Sequence, residues 1–247
     1  MPDPALADEI VSVQVVGLKP GQTVTVTASM SDDARPSREW ESWARFTAND
    51  EGLVDLTSQA PLTGTYSGVD PMGLLWSMTS DVPRGTDLPY FVNGATSVLV
   101  TTFMAETAEE AFGPAYLRRL RLPDAVEREI LSVEEHGFLG TFYLPEGAGP
   151  FPALLVLGGS GGGSDLPKAA LLAARGYATL AVTYFSRPPL PNVLAEIPLE
   201  YFQTALDWLQ AQENVEADKI GVLGTSRGGE LALLLGATYP QLKAVVS

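Results

Sequence analysis

Phe151-Pro152-Ala153-Leu154-Leu155-Val156-Leu157 is an unbroken apolar run, and it ends directly on Gly158-Gly159-Ser160-Gly161-Gly162-Gly163. A strand with one face in water alternates in polarity. A run with no polar break predicts a strand buried on both faces, as in a parallel sheet covered by helices. Tyr177 to Thr183 repeats the pattern, and Lys219 to Leu223 and Lys243 to Val246 are shorter versions of it. Between them, Lys168 to Arg175 reads as a helix stopped by Gly176. Phe202, Ala205, Leu206 and Leu209 share one helical face, and Glu230 to Thr238 forms a further helix. Strands and helices alternating at these lengths predict a mostly parallel α/β sheet of about six strands.

The first half has a different period. Ile10 to Val16 and Gln22 to Ala28 are β-branched and flank Lys19-Pro20-Gly21, which predicts a hairpin. Further strands are expected at Trp40 to Ala48, Gly52 to Leu56, Leu74 to Met78 and Thr96 to Met104, with a turn at Pro83 to Asp87 among those between them. Short strands at turn-marked spacing predict an all-β sandwich. The change of period places one domain at 1-122 and a second at 123-247.

Composition narrows the chemistry. Thirty acidic against 15 basic residues give a net charge of −15, which disfavours a nucleic-acid partner. With no cysteine, disulfides, thiolate-zinc sites and cysteine nucleophiles are all excluded. One histidine, His136, excludes a multi-histidine metal site, so no metal and no cofactor is expected. No apolar stretch approaches the ~18 residues of a membrane span, and the first residues do not read as a signal peptide, so the default expectation is cytoplasmic, with no membrane partner.

Gly224-Thr225-Ser226-Arg227-Gly228 matches G-x-S-x-G, the nucleophile elbow. A second match, Gly158 to Gly162 around Ser160, makes context decisive. Ser226 has a strand before it and a helix immediately after it, whereas Ser160 has only the strand. Ser226 is therefore the candidate nucleophile, with Gly224 and Gly228 removing side chains where strand and helix converge. The competing reading is a tight turn that merely needs small residues. Gly158 to Gly163 lacks the Gly-Lys-Ser/Thr ending of a phosphate loop and the acidic strand end of a dinucleotide site. An oxyanion loop or a passive turn remains. An elbow also predicts positive φ at Ser226, with the hydroxyl exposed at the strand ends.

These residues resemble the family of acyl-CoA thioesterases and bile acid-CoA:amino acid N-acyltransferases. In the first half the resemblance rests on Leu18 to Gln22, Trp40 to Ala44 and above all Gly64 to Met78; in the second it rests on Gly158 to Gly163, Leu171 to Ala178, Leu199 to Phe202 and Gly224 to Leu231. It implies an N-terminal immunoglobulin-like sandwich followed by an α/β-hydrolase domain. It also implies Ser226 as nucleophile and an oxyanion hole from the backbone N–H of Arg227 with that of Ser160 or Gly161. Arg227 stands where the family commonly has lysine. The implied activity is hydrolysis of an acyl-CoA thioester. A serine acyl-enzyme is an oxygen ester, less open to amines than a thioester, so water is the expected acceptor. Alternatives are a related serine ester or peptide hydrolase, an acyl-CoA:amino acid N-acyltransferase and a non-catalytic truncated homologue.

A serine nucleophile needs a base and a carboxylate, in the chain order Ser, Asp/Glu, His in α/β-hydrolases. The 21 residues after Ser226 contain neither His nor Asp, and His136 reads as a surface residue at a hairpin tip. The expectation is the front part of a longer polypeptide, with Ala244 to Val246 an edge prone to self-association or reliant on a missing C-terminal segment. Because CoA phosphates and a −15 protein repel, a local basic patch is expected, with Arg118, Arg119 and Arg121 as candidates.

Overall fold

A computed structural model describes residues 4–81, 91–92, 94 and 98–247, which divide into two units, Met1–Leu120 and Arg121–Ser247. The Pro83 to Asp87 turn and the start of the Thr96 to Met104 strand lie outside the described residues.

The first unit contains β1 (Ala5–Leu6), β2 (Gln14–Val15), β3 (Thr23–Ser31), β4 (Glu39–Thr47), β5 (Val54–Asp55), β6 (Thr63–Gly64), α1 (Gly73–Trp76), β7 (Leu99–Glu106) and β8 (Ala111–Leu120). Six of these strands make one sheet in the order β1-β8-β7-β3-β4-β6, while β2 and β5 form a separate two-stranded ribbon. Alternation sets the inner face: Val24, Val26 and Ala28 of β3, Ala44 and Phe46 of β4, and Phe103 and Ala105 of β7 are buried. They share a core with Val11, Val54 and Leu56 around the ribbon and with Tyr66 and Leu74.

Two expectations are corrected in this unit. Ile10 to Val16 does not pair with Gln22 to Ala28; β2 pairs with β5, and β3 pairs with β4 and β7. The Lys19-Pro20-Gly21 turn therefore carries the chain from ribbon to sheet. Leu74 to Met78 is not a strand, because α1 occupies Gly73–Trp76. Asp70 fixes that turn of helix, accepting from the Met72 N–H and the Trp76 indole, each at 2.8 Å.

The second unit contains β9 (Glu127–Leu131), α2 (Val133–His136), β10 (Leu139–Leu144), β11 (Phe151–Leu157), α3 (Leu166–Ala174), β12 (Ala178–Thr183), α4 (Leu199–Gln210), β13 (Val215–Gly224), α5 (Arg227–Thr238) and β14 (Leu242–Val246). Its six-stranded sheet runs β14-β13-β11-β12-β10-β9. The strands from β14 to β12 are mutually parallel, and β10 is antiparallel to both its neighbours. The sheet is thus mixed, and the continuous apolar runs are its central strands. Every residue of β12 is buried. Phe202, Ala205, Leu206 and Leu209 of α4 and Ala232 and Leu235 of α5 pack with Leu155, Leu180 and Val222 in one core. Among the described residues, no helix is long and apolar enough to cross a membrane.

Candidate active site

In the second unit β11 leads through α3 to β12, whereas β13, on the other side of β11, leads through α5 to β14. The connections leaving two neighbouring strands therefore diverge. That is a topological switch point, where open α/β sheets form a crevice beyond the carboxyl ends of their strands. Gly158 to Gly163 follows β11 and Ser226 follows β13, so both sequence-derived motifs face one crevice.

Ser226 has φ 57° and ψ −121°, and it is exposed at the point where α5 starts. A non-glycine residue held there is strained by about 1–3 kcal/mol and persists only where its surroundings over-determine it. The surroundings are the elbow's hydrogen bonds and glycines. The Thr225 N–H donates to the Leu157 carbonyl at 3.1 Å, the Gly228 N–H to the Thr225 carbonyl at 2.9 Å, and the Gly229 N–H to the Ser226 carbonyl at 2.8 Å. A Cβ on Gly224 would stand 1.9 Å from the Gly228 carbonyl oxygen, and one on Gly228 would stand 2.4 Å from that of Gly158. Neither neighbour is a flexible side chain that could swing aside. Gly228→Ala is therefore expected to cost about 3 kcal/mol, read as a shift in the urea midpoint at constant m-value. A change below about 0.5 kcal/mol, the range of neutral surface substitutions, would mean that the elbow tolerates separation from β11.

The glycine loop reaches Ser226 at Gly159, whose Cβ position lies 3.7 Å from Ser226 Oγ and 3.2 Å from Ser226 Cβ. A side chain at 159 would crowd the space in front of the hydroxyl. Ser160 is the next residue of the same turn, which the Gly162 N–H closes onto the Gly159 carbonyl at 3.3 Å. Gly161 stands further out, with no atom within 4 Å of its Cβ position. Arg227 is the first residue of α5, where a backbone N–H has no intrahelical partner. Its side chain pairs with Glu230 at 2.6 Å across a solvent-exposed turn. Tyr184, whose phenol burial pushes up, donates its hydroxyl to the Gly158 carbonyl at 2.5 Å and braces the loop from below.

A polar cluster that the sequence did not reveal holds Thr225, the residue before Ser226. Lys168 Nζ donates to Thr225 Oγ1 and pairs with Asp165 at 3.0 Å, while Asp165 also accepts from the Lys168 N–H at the start of α3. Lys168 and Thr225 are 57 positions apart, so no local pattern could announce the contact. Beside the elbow, on the side of α4 and α5, lies a cavity of about 510 Å³ lined by Tyr184, Leu194, Ile197, Phe202, Leu231 and Leu234, among others, with Arg227 and Glu230 also on its wall.

The other sequence-derived residues lie elsewhere. His136 closes α2, and its ring meets Phe138 and Trp208 edge-on at 6.2 and 6.0 Å. No interaction joins it to Ser226 among the described residues. Arg118 and Arg119 are consecutive on β8 and point to opposite faces: Arg118 is exposed, whereas Arg119 is 7% exposed and donates to the Ala7 carbonyl at 3.1 Å. A shared patch with Arg119 at the surface is therefore corrected by strand alternation. Arg121 begins the second unit and is half-buried. Among the described residues, no group of His, Cys, Asp and Glu could hold a metal ion.

Residues 8–133 match the family model described as the acyl-CoA thioester hydrolase/BAAT N-terminal region, and residues 197–247 match the BAAT/acyl-CoA thioester hydrolase C-terminal model. The chain belongs to the acyl-CoA thioester hydrolase/BAAT family. Acyl-coenzyme A amino acid N-acyltransferase 2 of Rattus norvegicus is 35% identical over 99% of this chain and 59% of its own length. Bile acid-CoA:amino acid N-acyltransferase of Mus musculus is 33% identical over 100% and 59%. Acyl-coenzyme A thioesterase 2, mitochondrial, of Homo sapiens is 33% identical over 97% and 49%. The chain thus spans between about half and three-fifths of the length of these relatives. Among solved structures, 2,6-dihydroxy-pseudo-oxynicotine hydrolase is 32% identical with a TM-score of 0.37, covering 49% of this chain and 35% of that one.

Proposed function

We propose that this chain carries the nucleophile of an acyl-CoA thioester hydrolase, Ser226, which takes up the acyl group. The observation that carries the reading is the strained, exposed Ser226 at the start of α5, facing the glycine loop after β11. Ser226 Oγ adds to the thioester carbonyl, a C–O bond forms, and the C–S bond breaks. The Oγ proton ends on the departing CoA sulfur. Water then adds across the acyl ester, releasing a carboxylic acid and restoring the serine hydroxyl. The N–H groups of Arg227 and of Ser160 or Gly161 supply the oxyanion hole, where each donor is worth roughly 10²–10³ in rate. Glu230 pairs with Arg227, and no side-chain base contacts the Ser226 hydroxyl among the described residues. Family membership and the β-built first unit support reading that unit as the family's immunoglobulin-like sandwich.

The cavity beside α4 and α5 is the natural seat of the acyl chain, since Leu194, Ile197, Leu231 and Leu234 give it an apolar wall that opens at Arg227, next to the nucleophile. Product analysis with a series of straight-chain CoA thioesters, in the presence of glycine or taurine, tests both the reaction and the pocket. Free acid is expected whether or not the amine is present. Leu234→Trp should lower the rate for long acyl chains at least about tenfold while sparing acetyl. Amide as the main product would replace hydrolysis by amide transfer. An equal loss for short and long chains would remove the cavity from the acyl path.

A further inference from the structure

Only seven basic residues fall between 123 and 247, and three of them, Lys168, Arg187 and Arg227, lie around the crevice at the ends of β11 and β13. In a chain of charge −15 that concentration of cations is a local reversal of the prevailing field. Two of the three are already engaged, Lys168 with Asp165 at 3.0 Å and Arg227 with Glu230 at 2.6 Å. Among the described residues, the Arg187 guanidinium has neither a carboxylate nor any other hydrogen-bond partner.

Arg187 nevertheless lies beside the glycine loop. Its Nε and Nη2 lie 3.6 and 3.8 Å from the Cβ position of Gly163, so the guanidinium lies along the glycine loop. It projects from a closed turn, in which the Ser186 N–H donates to the Pro191 carbonyl at 2.7 Å and the Leu190 N–H to the Arg187 carbonyl at 2.8 Å. Ser186 has φ 60°, a strained value for serine, and its Cβ lies 2.5 Å from where a Cβ on Gly162 would be. Turn and loop therefore fit only because residue 162 lacks a side chain. A guanidinium carried by this closed turn, exposed and without a counter-ion among the described residues, is placed to receive an anion from solvent. Arg presents a planar fork suited to phosphate oxygens.

The apolar cavity is walled by α4, α5 and parts of the same β12–α4 connection, and neither the glycine loop nor Arg187 lines it. A substrate whose carbonyl sits at Ser226 with its acyl chain in that cavity directs its leaving group past the glycine loop, toward Arg187. We propose that Arg187 recognises a phosphate of the leaving thiol, so that this crevice selects acyl groups carried on a phosphorylated thiol over neutral thioesters. The assignment rests on the Ser226 reading for the direction of the substrate, and it moves the phosphate contact from the Arg118–Arg121 segment to the crevice itself.

Titrating the 247-residue chain with coenzyme A, dephospho-coenzyme A and pantetheine by calorimetry tests this without any turnover. Arg187→Ala is expected to weaken coenzyme A binding about tenfold or more and to leave pantetheine binding unchanged. Dephospho-coenzyme A locates the contact: binding it as tightly as coenzyme A assigns Arg187 to the pyrophosphate, and weaker binding assigns it to the 3′-phosphate. Raising ionic strength should weaken coenzyme A binding more steeply in the parent than in the variant. The proposal is overturned if the parent binds coenzyme A no more tightly than pantetheine, or if Arg187→Ala changes neither ligand or both equally. Acyl transfer to Ser226 from S-acyl pantetheine should persist in Arg187→Ala. Its absence from the parent as well would sink the nucleophile reading while leaving a phosphate-dependent binding result intact.

Discussion

Ser226→Gly should produce a chain that is more stable than its parent and unable to take up an acyl group. Ser226 sits at φ 57°, ψ −121°, a conformation glycine reaches at little cost and serine does not. Relief of that strain is expected to add about 1 kcal/mol to stability, read as a higher urea midpoint. Acyl uptake from a thioester should fall at least about a thousandfold, because the group proposed to take up the acyl chain is the Ser226 Oγ itself. A residue that served only to complete a tight turn would give the stability gain with no loss of acyl uptake. A residue with a purely structural hydroxyl would give a stability loss instead.

The second large effect belongs to the first unit. Asp32, between β3 and β4, is 5% exposed. Burial alone would raise its pKa, but its hydrogen bonds outweigh that penalty and hold the carboxyl well below the usual carboxylate range. The guanidinium of Arg38 donates from Nε at 2.8 Å and pairs through Nη2 at 2.5 Å, the Trp40 indole donates at 3.1 Å, and the N–H groups of Arg38 and Ala34 donate at 3.0 and 3.1 Å. The folded-state value is thus below the unfolded value of about 3.9. The resulting stabilisation is fully present above about pH 4 and is lost as pH falls through the folded-state value. Asp32→Ala leaves Arg38 without its carboxylate partner and should cost about 3 kcal/mol at neutral pH. It should also flatten the decline in stability below about pH 4. Urea unfolding of the parent and of Asp32→Ala, followed by circular dichroism at a series of pH values, measures both effects. An unchanged acid limb in Asp32→Ala would assign the acid sensitivity to other carboxylates.

What the sequence made legible was local. Gln22 to Ala28 and Trp40 to Ala48 announced themselves as strands by side-chain type, Phe151 to Leu157 and Tyr177 to Thr183 by unbroken apolarity, and the elbow by five consecutive residues; β3, β4, β11 and β12 fall on those four stretches. The positive φ of Ser226 follows from the same five residues, because only that turn lets a strand end and a helix start without an intervening loop. Pairing was not legible. Gln14 could as well have met β3 as Asp55, and a choice between partners 41 residues apart is made by the shared core of Val11, Val54 and Leu56, not by the turn at Pro20. Leu74 to Met78 looked like a strand because four apolar side chains in five residues carry no period; Asp70 decided for a helical turn. The three arginines near position 120 looked like a patch because proximity in sequence hides the alternation of a strand. Arg187 gave no sequence signal, since its importance comes from a turn packed on Gly162 and Gly163.

The central claim is that Ser226 is a nucleophile, and intact-mass spectrometry of the 247-residue chain after incubation with an acyl-CoA thioester tests it most directly. Even with no base beside the serine, an oxyanion hole and bound substrate sustain roughly 10³ to 10⁴ of rate over water. Slow acylation is then followed by equally slow release, and the adduct accumulates. The expected result is a mass increase of one acyl group per chain, mapped by fragmentation to the peptide containing Ser226 and absent from Ser226→Ala. No adduct in the parent, or an adduct that survives in Ser226→Ala, would contradict the account.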